Sequence, residues 1–155
     1  DKLLASGKTG GALAGKIAVD NARAAYMDFE TLFSGPRWRS LQEKGAQLQR
    51  PLWASTGTKN PDYSPTLYVD SLIGPHTVNT IPPATLEAFL AAGTVGMTVA
   101  SDREGMKRRL GELAALGISL DEVTARLLEE GLDAFEKAYI HLLEGIEKKG
   151  QSLVG

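Results

Sequence analysis

Along the first third of the chain, apolar residues recur at helical spacing. Between residues 11 and 35, Ala18, Ala22, Ala25, Phe29 and Phe33 stand three or four positions apart, the stripe of an amphipathic helix, and Gly35-Pro36 ends it. A short helix over about 37–44 follows before Gly45. At 51–55 the pattern changes. Pro51, Leu52, Trp53 and Ala54 are apolar in succession, which predicts a brief strand covered on both faces, with Ser55 at its polar C-terminal end. A helix over 65–72 is stopped by Gly74-Pro75, and 77–81 predicts a second brief strand with β-branched residues. Pro82-Pro83 then opens a helix that runs through Leu90 and closes at Gly93.

The last third predicts only helices. Two capping boxes announce them, Ser101 with Glu104 and Ser119 with Glu122, each serine placed to accept an amide three residues on while the glutamate reaches back. After Ser119, the residues Leu120, Val123, Leu127, Ala134, Phe135, Ala138, Leu142 and Ile146 form one apolar stripe. A helix of that kind needs a large surface to lie on. The order helix, strand, helix, strand, helix marks parallel strands joined by helical crossovers, so the class is α/β. Two short parallel strands cannot pair their outer edges or cover so many apolar helix faces. A (β/α)₈ barrel normally takes about 250 residues, and this pattern resembles its final portion: the last two strands of a TIM barrel plus C-terminal helices, incomplete on its own. The layout expected is a single barrel domain's C-terminal part, with a flexible loop over 1–10, the last barrel strands and helices over 11–93, C-terminal helices over 94–150 and a tail over 151–155.

Composition adds mainly exclusions. At 155 residues and 43% hydrophobic the chain can bury a real core. A net charge of -2 provides no basic field for nucleic acid or an anionic membrane. Without cysteine there is no disulfide, thiolate-zinc site or thiol nucleophile, in keeping with a reducing cytoplasm. The two histidines, His76 and His141, form no ligand pair, so no metal is expected. No apolar run approaches the roughly 20 residues of a membrane span. The sequence opens at Asp1, without methionine, on a Gly, Ser and Lys-rich stretch that reads as an interior loop; a segment upstream is expected.

Candidate chemistry narrows quickly. Gly10-x4-Gly15-Lys16 has Walker A spacing, but Ile17 stands where a magnesium-binding hydroxyl is required and no strand precedes it. Ser6-Gly7-Lys8-Thr9 carries the other half of that motif, with Lys2 where its first glycine belongs. A lysine could form a Schiff base if desolvated, yet the lysines here sit in polar settings. Glu129 and Glu130 are adjacent on a helix, about 100° apart, and cannot converge on one atom. His76 reads as a loop residue and His141 as a surface helix position. Asp62, Asp70 and Asn79 lie near strand ends and could face a cleft, although Asp70 falls inside a predicted helix and is expected to be exposed. The junction RPLWASTGTKNP, residues 50–61, is different. Ligands of α/β folds bind at the C-terminal ends of strands, and there Ser55, Thr56 and Thr58 offer hydroxyls. Gly57 allows close backbone approach and Lys59 adds a positive charge, together suited to an anionic head group. The alternative is a turn whose Ser and Thr satisfy backbone groups.

The segment PLWASTGTKNP, followed by TLYVDSLIGPHTVNTIPPATLEAFL, resembles the transaldolase family, in the branch that carries an ASTGTKNP junction. Upstream, LAGKIAVDNARAAYMDFETLFSGPRW is similar to the family's helix leading into this strand. Downstream, LAALGISLDEVTARLLEEGLDAFEKAYIHLLEGI is similar to its C-terminal helices. The resemblance implies a (β/α)₈ barrel in which 51–55 is the seventh strand and 77–81 the eighth. It implies a cofactor-free transfer of a dihydroxyacetone unit through a lysine Schiff base, from a ketose phosphate resembling sedoheptulose 7-phosphate to glyceraldehyde 3-phosphate, in the cytoplasmic pentose phosphate pathway. In the family, that lysine lies on the fourth strand and the working carboxylates on the first and third, so no catalytic residue falls in this chain and the N-terminal barrel portion is the implied partner. Ser55 matches the strand-end serine at the substrate phosphate. Where many members carry an arginine shortly after it, this chain has Lys59, a point charge without arginine's bidentate fork. Two other readings stay open: a noncatalytic sugar-phosphate binding module, and another Schiff-base barrel aldolase sharing the phosphate loop.

Overall fold

A computed structural model describes residues 10–154. The chain divides into two units, Asp1–Glu112 and Leu113–Gly155. The loop expected over 1–10 falls, except for Gly10, outside the described residues. Gly10–Ala12 is a single 3-10 turn.

In the first unit the elements alternate as the pattern predicts. Helix α1 (Ile17–Leu32) leads to α2 (Pro36–Glu43), which has proline at its first position, where the missing N–H costs nothing. Strand β1 (Leu52–Ala54), the short helix α3 (Leu67–Ser71), strand β2 (Val78–Thr80) and helix α4 (Pro83–Ala92) follow. The strands pair in parallel, Leu52 with Val78, Trp53 with Asn79 and Ala54 with Thr80, so both chains leave the pair at the same end. Each strand is shorter than predicted, three residues instead of five.

The core lies between α1 and the segment after α4. Val19, Tyr26, Phe29, Leu72 and Val99 pack together, and each full burial of such a side chain contributes about 1.5–3 kcal/mol. The buried face of α1 is rotated from the predicted stripe. Val19, Tyr26 and Phe29 are inside, Ala22 and Phe33 border them, and Ala18 and Ala25 are exposed. The larger side chains win because Tyr26 packs on Phe29, centroids 5.7 Å apart, and hands its hydroxyl proton to the Pro75 carbonyl at 3.2 Å. Trp53 ties β1 to α3 by donating its indole N–H to the Leu72 carbonyl at 3.0 Å. Asp70, expected to be exposed, is half-buried and serves this layer: its carboxylate accepts from Thr66 Oγ1 at 2.6 Å and from the Thr94 amide at 3.0 Å.

The strand pair is covered less than its apolar run predicts. Leu52 is 52% exposed and Ala54 is exposed, while Trp53 alone on β1 is half-buried. With two strands in the sheet, neither outer edge meets a third strand among the described residues.

Helix α5 (Arg103–Ala115) opens differently from its predicted box. The cap is Asp102, in the left-handed region at φ 55°, with Oδ1 accepting the Gly105 amide at 3.2 Å. Gly105 allows this because a Cβ there would overlap the Asp102 carboxylate. Ser101 instead bonds the Thr98 carbonyl at 2.6 Å, a local competition in which the carboxylate one residue nearer the helix takes the cap. In the second unit Ser119 does cap helix α6 (Leu120–Val154), accepting the Glu122 amide at 3.2 Å. This helix continues to Val154, through the residues expected to form a tail, and its apolar stripe is open: Phe135 is 80% exposed, and Leu127, Leu142 and Ile146 are exposed too. Among the described residues, no helix is long and apolar enough to cross a membrane.

Candidate functional site

The residues 55–60 leave the C-terminal end of β1 in a bend built on an unusual conformation. Ser55 has φ 52°, a left-handed geometry that costs a non-glycine residue about 1–2 kcal/mol. Two contacts from β2 hold it: the Ser55 amide donates to Thr80 Oγ1 at 2.9 Å, and the Thr56 amide to the Thr80 carbonyl at 3.4 Å. Thr56 then turns inward, 5% exposed, and donates its hydroxyl proton to Asn79 Oδ1 at 2.7 Å. Gly57 passes so close to α4 that a Cβ would stand 3.2 Å from Thr85 Oγ1 and 3.3 Å from Pro82 Cγ. Thr58 donates its hydroxyl proton to the Ser64 carbonyl at 3.2 Å, and Asn60 Oδ1 caps the following turn through the Asp62 amide at 3.0 Å.

This sorts the predicted hydroxyls into two groups. Those of Thr56 and Thr58 are committed to the protein, fixing the bend. The Ser55 hydroxyl and the exposed Lys59 ammonium have no partner among the described residues, and the amides of Gly57, Thr58 and Lys59 have no acceptor there. One hydroxyl, one cation and a run of free amides at the mouth of a parallel strand pair are donors without acceptors, a chemistry that suits an oxyanion.

The residues that organise the bend lie on β2 and α4 and were only partly visible in sequence. Asn79 was a strand-end candidate, but it faces Thr56 rather than open space. Thr80 and Thr85 carried no signal of their own beyond β-branching.

The other candidates are dispersed. His76, also left-handed at φ 61°, sits in the exposed loop before β2, its ring 6.2 Å from that of Phe29. His141 is exposed on α6. Glu130 accepts from Arg126 Nε at 2.6 Å, one turn away on the same helix, and its neighbour Glu129 is exposed. Asp62 is exposed in the turn. Lys16 lies at the entry to α1 after the 3-10 turn, and its amide bonds the Leu13 carbonyl at 3.1 Å, a helix start rather than a phosphate loop. The half-motif at 6–9 lies outside the described residues. No group of three His, Asp or Glu side chains among the described residues could hold a metal ion.

A buried ion cluster stands apart from the bend. Asp20, 1% exposed, receives Arg109 through both Nε (2.6 Å) and Nη2 (2.7 Å), and Arg109 Nη1 also reaches Asp102 at 2.8 Å. The Asp20 hydrogen bond, foremost, raises Arg109 above the ordinary arginine value, and the Arg109 hydrogen bond holds the exposed Asp102 carboxyl below the usual carboxylate value. Arg23 completes the cluster, 3.8 Å from Asp20.

Comparison with known sequences points to one family. The transaldolase/fructose-6-phosphate aldolase family profile matches residues 1–146. The transaldolase of Neisseria gonorrhoeae (strain ATCC 700825 / FA 1090) is 51% identical over 131 residues, 84% of this chain and 37% of that protein. Mycolicibacterium smegmatis (strain ATCC 700084 / mc(2)155) has a transaldolase 47% identical over 137 residues, 88% of this chain and 37% of its own length. A third, from Trichodesmium erythraeum (strain IMS101), is 42% identical over 144 residues, 92% of this chain and 38% of that one. The chain thus spans little more than a third of the length of the curated relatives it matches. With a profile match that takes in both strands, the bend between them and most of α6, the chain belongs to the transaldolase/fructose-6-phosphate aldolase family.

Proposed function

We propose that this chain is the C-terminal portion of a transaldolase barrel and supplies the phosphate end of its substrate site, through Ser55 and Lys59. On this reading β1 and β2 are the seventh and eighth strands of a (β/α)₈ barrel, residues 94–150 are its closing helices, and the earlier strands belong to an N-terminal portion outside this sequence. The single observation that carries it is the set of unengaged donors at the C-terminal end of the strand pair, the end at which barrels bind their ligands. Leu52 and the α6 stripe, exposed here, would be covered by the rest of the barrel.

The reaction follows from amine chemistry. A lysine outside this sequence attacks the ketose carbonyl and loses water to form a Schiff base. The carbon chain then breaks, releasing an aldose and leaving the dihydroxyacetone unit as an enamine. That carbon adds to the acceptor aldehyde, and water frees the product. Ser55 and Lys59 do none of this chemistry; they hold the phosphate so that the carbonyl end meets the lysine. Sedoheptulose 7-phosphate and glyceraldehyde 3-phosphate are the substrates this reading names, without a cofactor, in the cytoplasm.

The test is Lys59→Ala in the full-length enzyme. A charge-assisted hydrogen bond of about 1.5–3 kcal/mol is lost, so KM for a phosphorylated ketose should rise about tenfold or more, with much less effect on an unphosphorylated ketose. Equal loss on both defeats the assignment. Borohydride reduction in the presence of a ketose phosphate should trap a lysine outside these residues. An adduct on Lys59 overturns its role, and a lone 16.5 kDa species that binds phosphosugar without turnover would favour a noncatalytic module.

A further inference from the structure

We infer that Thr80 is a positioning residue for the phosphate end of the site: its side chain holds Ser55 in the left-handed bend that leaves the serine hydroxyl free. The inference rests on the functional reading above and extends it to a residue that does not itself touch the phosphate.

A regular parallel ladder would take the amide following Ala54 to a backbone carbonyl. Here two consecutive amides are captured by one residue of the neighbouring strand. The Ser55 amide goes to Thr80 Oγ1 at 2.9 Å, and the Thr56 amide goes to the Thr80 carbonyl at 3.4 Å. Ala54 is the register partner of Thr80, so the grip closes immediately beyond the last rung. To present successive amides to two oxygens of one residue the chain must turn at Ser55, and it does so at φ 52°. A non-glycine residue does not take that conformation unaided. The next residue is locked as well, since Thr56 is buried and bonded to Asn79 Oδ1 at 2.7 Å, so the bend cannot relax by sliding toward residue 57.

The demand on position 80 is specific. The acceptor must be an oxygen on the β carbon, held by a stiff rotamer, and threonine supplies both. Serine keeps the oxygen and loses the stiffness; valine keeps the shape and loses the oxygen.

The experiment compares Thr80→Val, Thr80→Ser and Lys59→Ala in the full-length enzyme, each assayed on a phosphorylated and an unphosphorylated ketose. Losing one neutral hydrogen bond corresponds to about a threefold to tenfold change. Thr80→Val should raise KM for the phosphorylated ketose by that factor with kcat nearly unchanged. The unphosphorylated substrate should be unaffected, and Thr80→Ser should restore most of the loss. A substrate-free readout runs in parallel: the Ser55 backbone chemical shifts should report a left-handed residue in the parent and in Thr80→Ser, and move toward extended values in Thr80→Val. Unchanged shifts with unchanged KM, or a loss shared equally by both substrates, overturns the inference. Lys59→Ala separates the two levels. If it is selective for the phosphorylated ketose while Thr80→Val is silent, only the role of Thr80 falls. If it is unselective, the phosphate reading falls and this one with it.

Discussion

Tyr26 shows how a single side chain couples packing to pH. It is buried against Phe29 and donates a hydrogen bond to the Pro75 carbonyl, and burial, helped by nearby Glu30, raises its phenol above the ordinary value of 10.0. An acid whose folded pKa is raised lends stability that is fully present below its unfolded pKa and is lost as pH climbs through the folded one. Urea midpoints should therefore fall as pH climbs beyond about 10, and Tyr26→Phe should flatten that decline while costing the Pro75 hydrogen bond at neutral pH. An equally steep decline in the variant would locate the alkaline sensitivity elsewhere. At this scale the sequence was partly legible. It marked Phe29 and Phe33 as apolar but passed over Tyr26, because a periodicity built on alanines points to one face while the larger rings settle on another. It also marked Ser55 and Lys59. That Thr56 and Thr58 spend their hydroxyls on the protein depends on residues 79 and 64, which only folding brings near.

Between elements, the strongest cross-link is the fork of Arg109 on Asp20, from α5 to α1. Breaking a buried ion pair from one side leaves its partner uncompensated, at a cost of about 3–5 kcal/mol. Asp20→Asn should therefore lower the urea midpoint strongly, and a loss under about 1 kcal/mol would mean that Asp102 and solvent suffice to hold Arg109. The sequence could not signal this pair, 89 positions apart. Element order was legible throughout, since Pro and Gly punctuate the chain and the periodicity switches between them. Boundaries were less so. Both strands shrank at their ends, and the cap of α5 went to Asp102, because a glycine three residues on lets a carboxylate fold over the first turn where a box motif favours the serine.

At the scale of the molecule, apolar surface is left over. On α6, Leu128, Leu132, Phe135, Tyr139, Leu142 and Ile146 alternate at spacings of four and three, and all are exposed; Leu52 on β1 and Val95 and Met97 beyond α4 are exposed as well. Patches of that extent mark surfaces that partners cover. The 155-residue chain should accordingly brighten a hydrophobic dye such as ANS under native conditions, and Phe135→Ser with Leu142→Ser should remove a large part of the signal. No enhancement from the parent chain would show that this surface is hidden in solution. The mismatch behind this prediction was legible from the sequence as two strands too few for their helices.

The left-handed geometry of Ser55 has a practical consequence for mutagenesis there. Alanine, the customary probe, deletes the hydroxyl and is as reluctant as serine to adopt φ 52°, so the amide contact with Thr80 that holds the parent there holds the variant too. Glycine, at ease in that region, would lose the β carbon with the oxygen and unlock the backbone, which leaves Ser55→Ala as the cleaner instrument for asking what that one atom contributes.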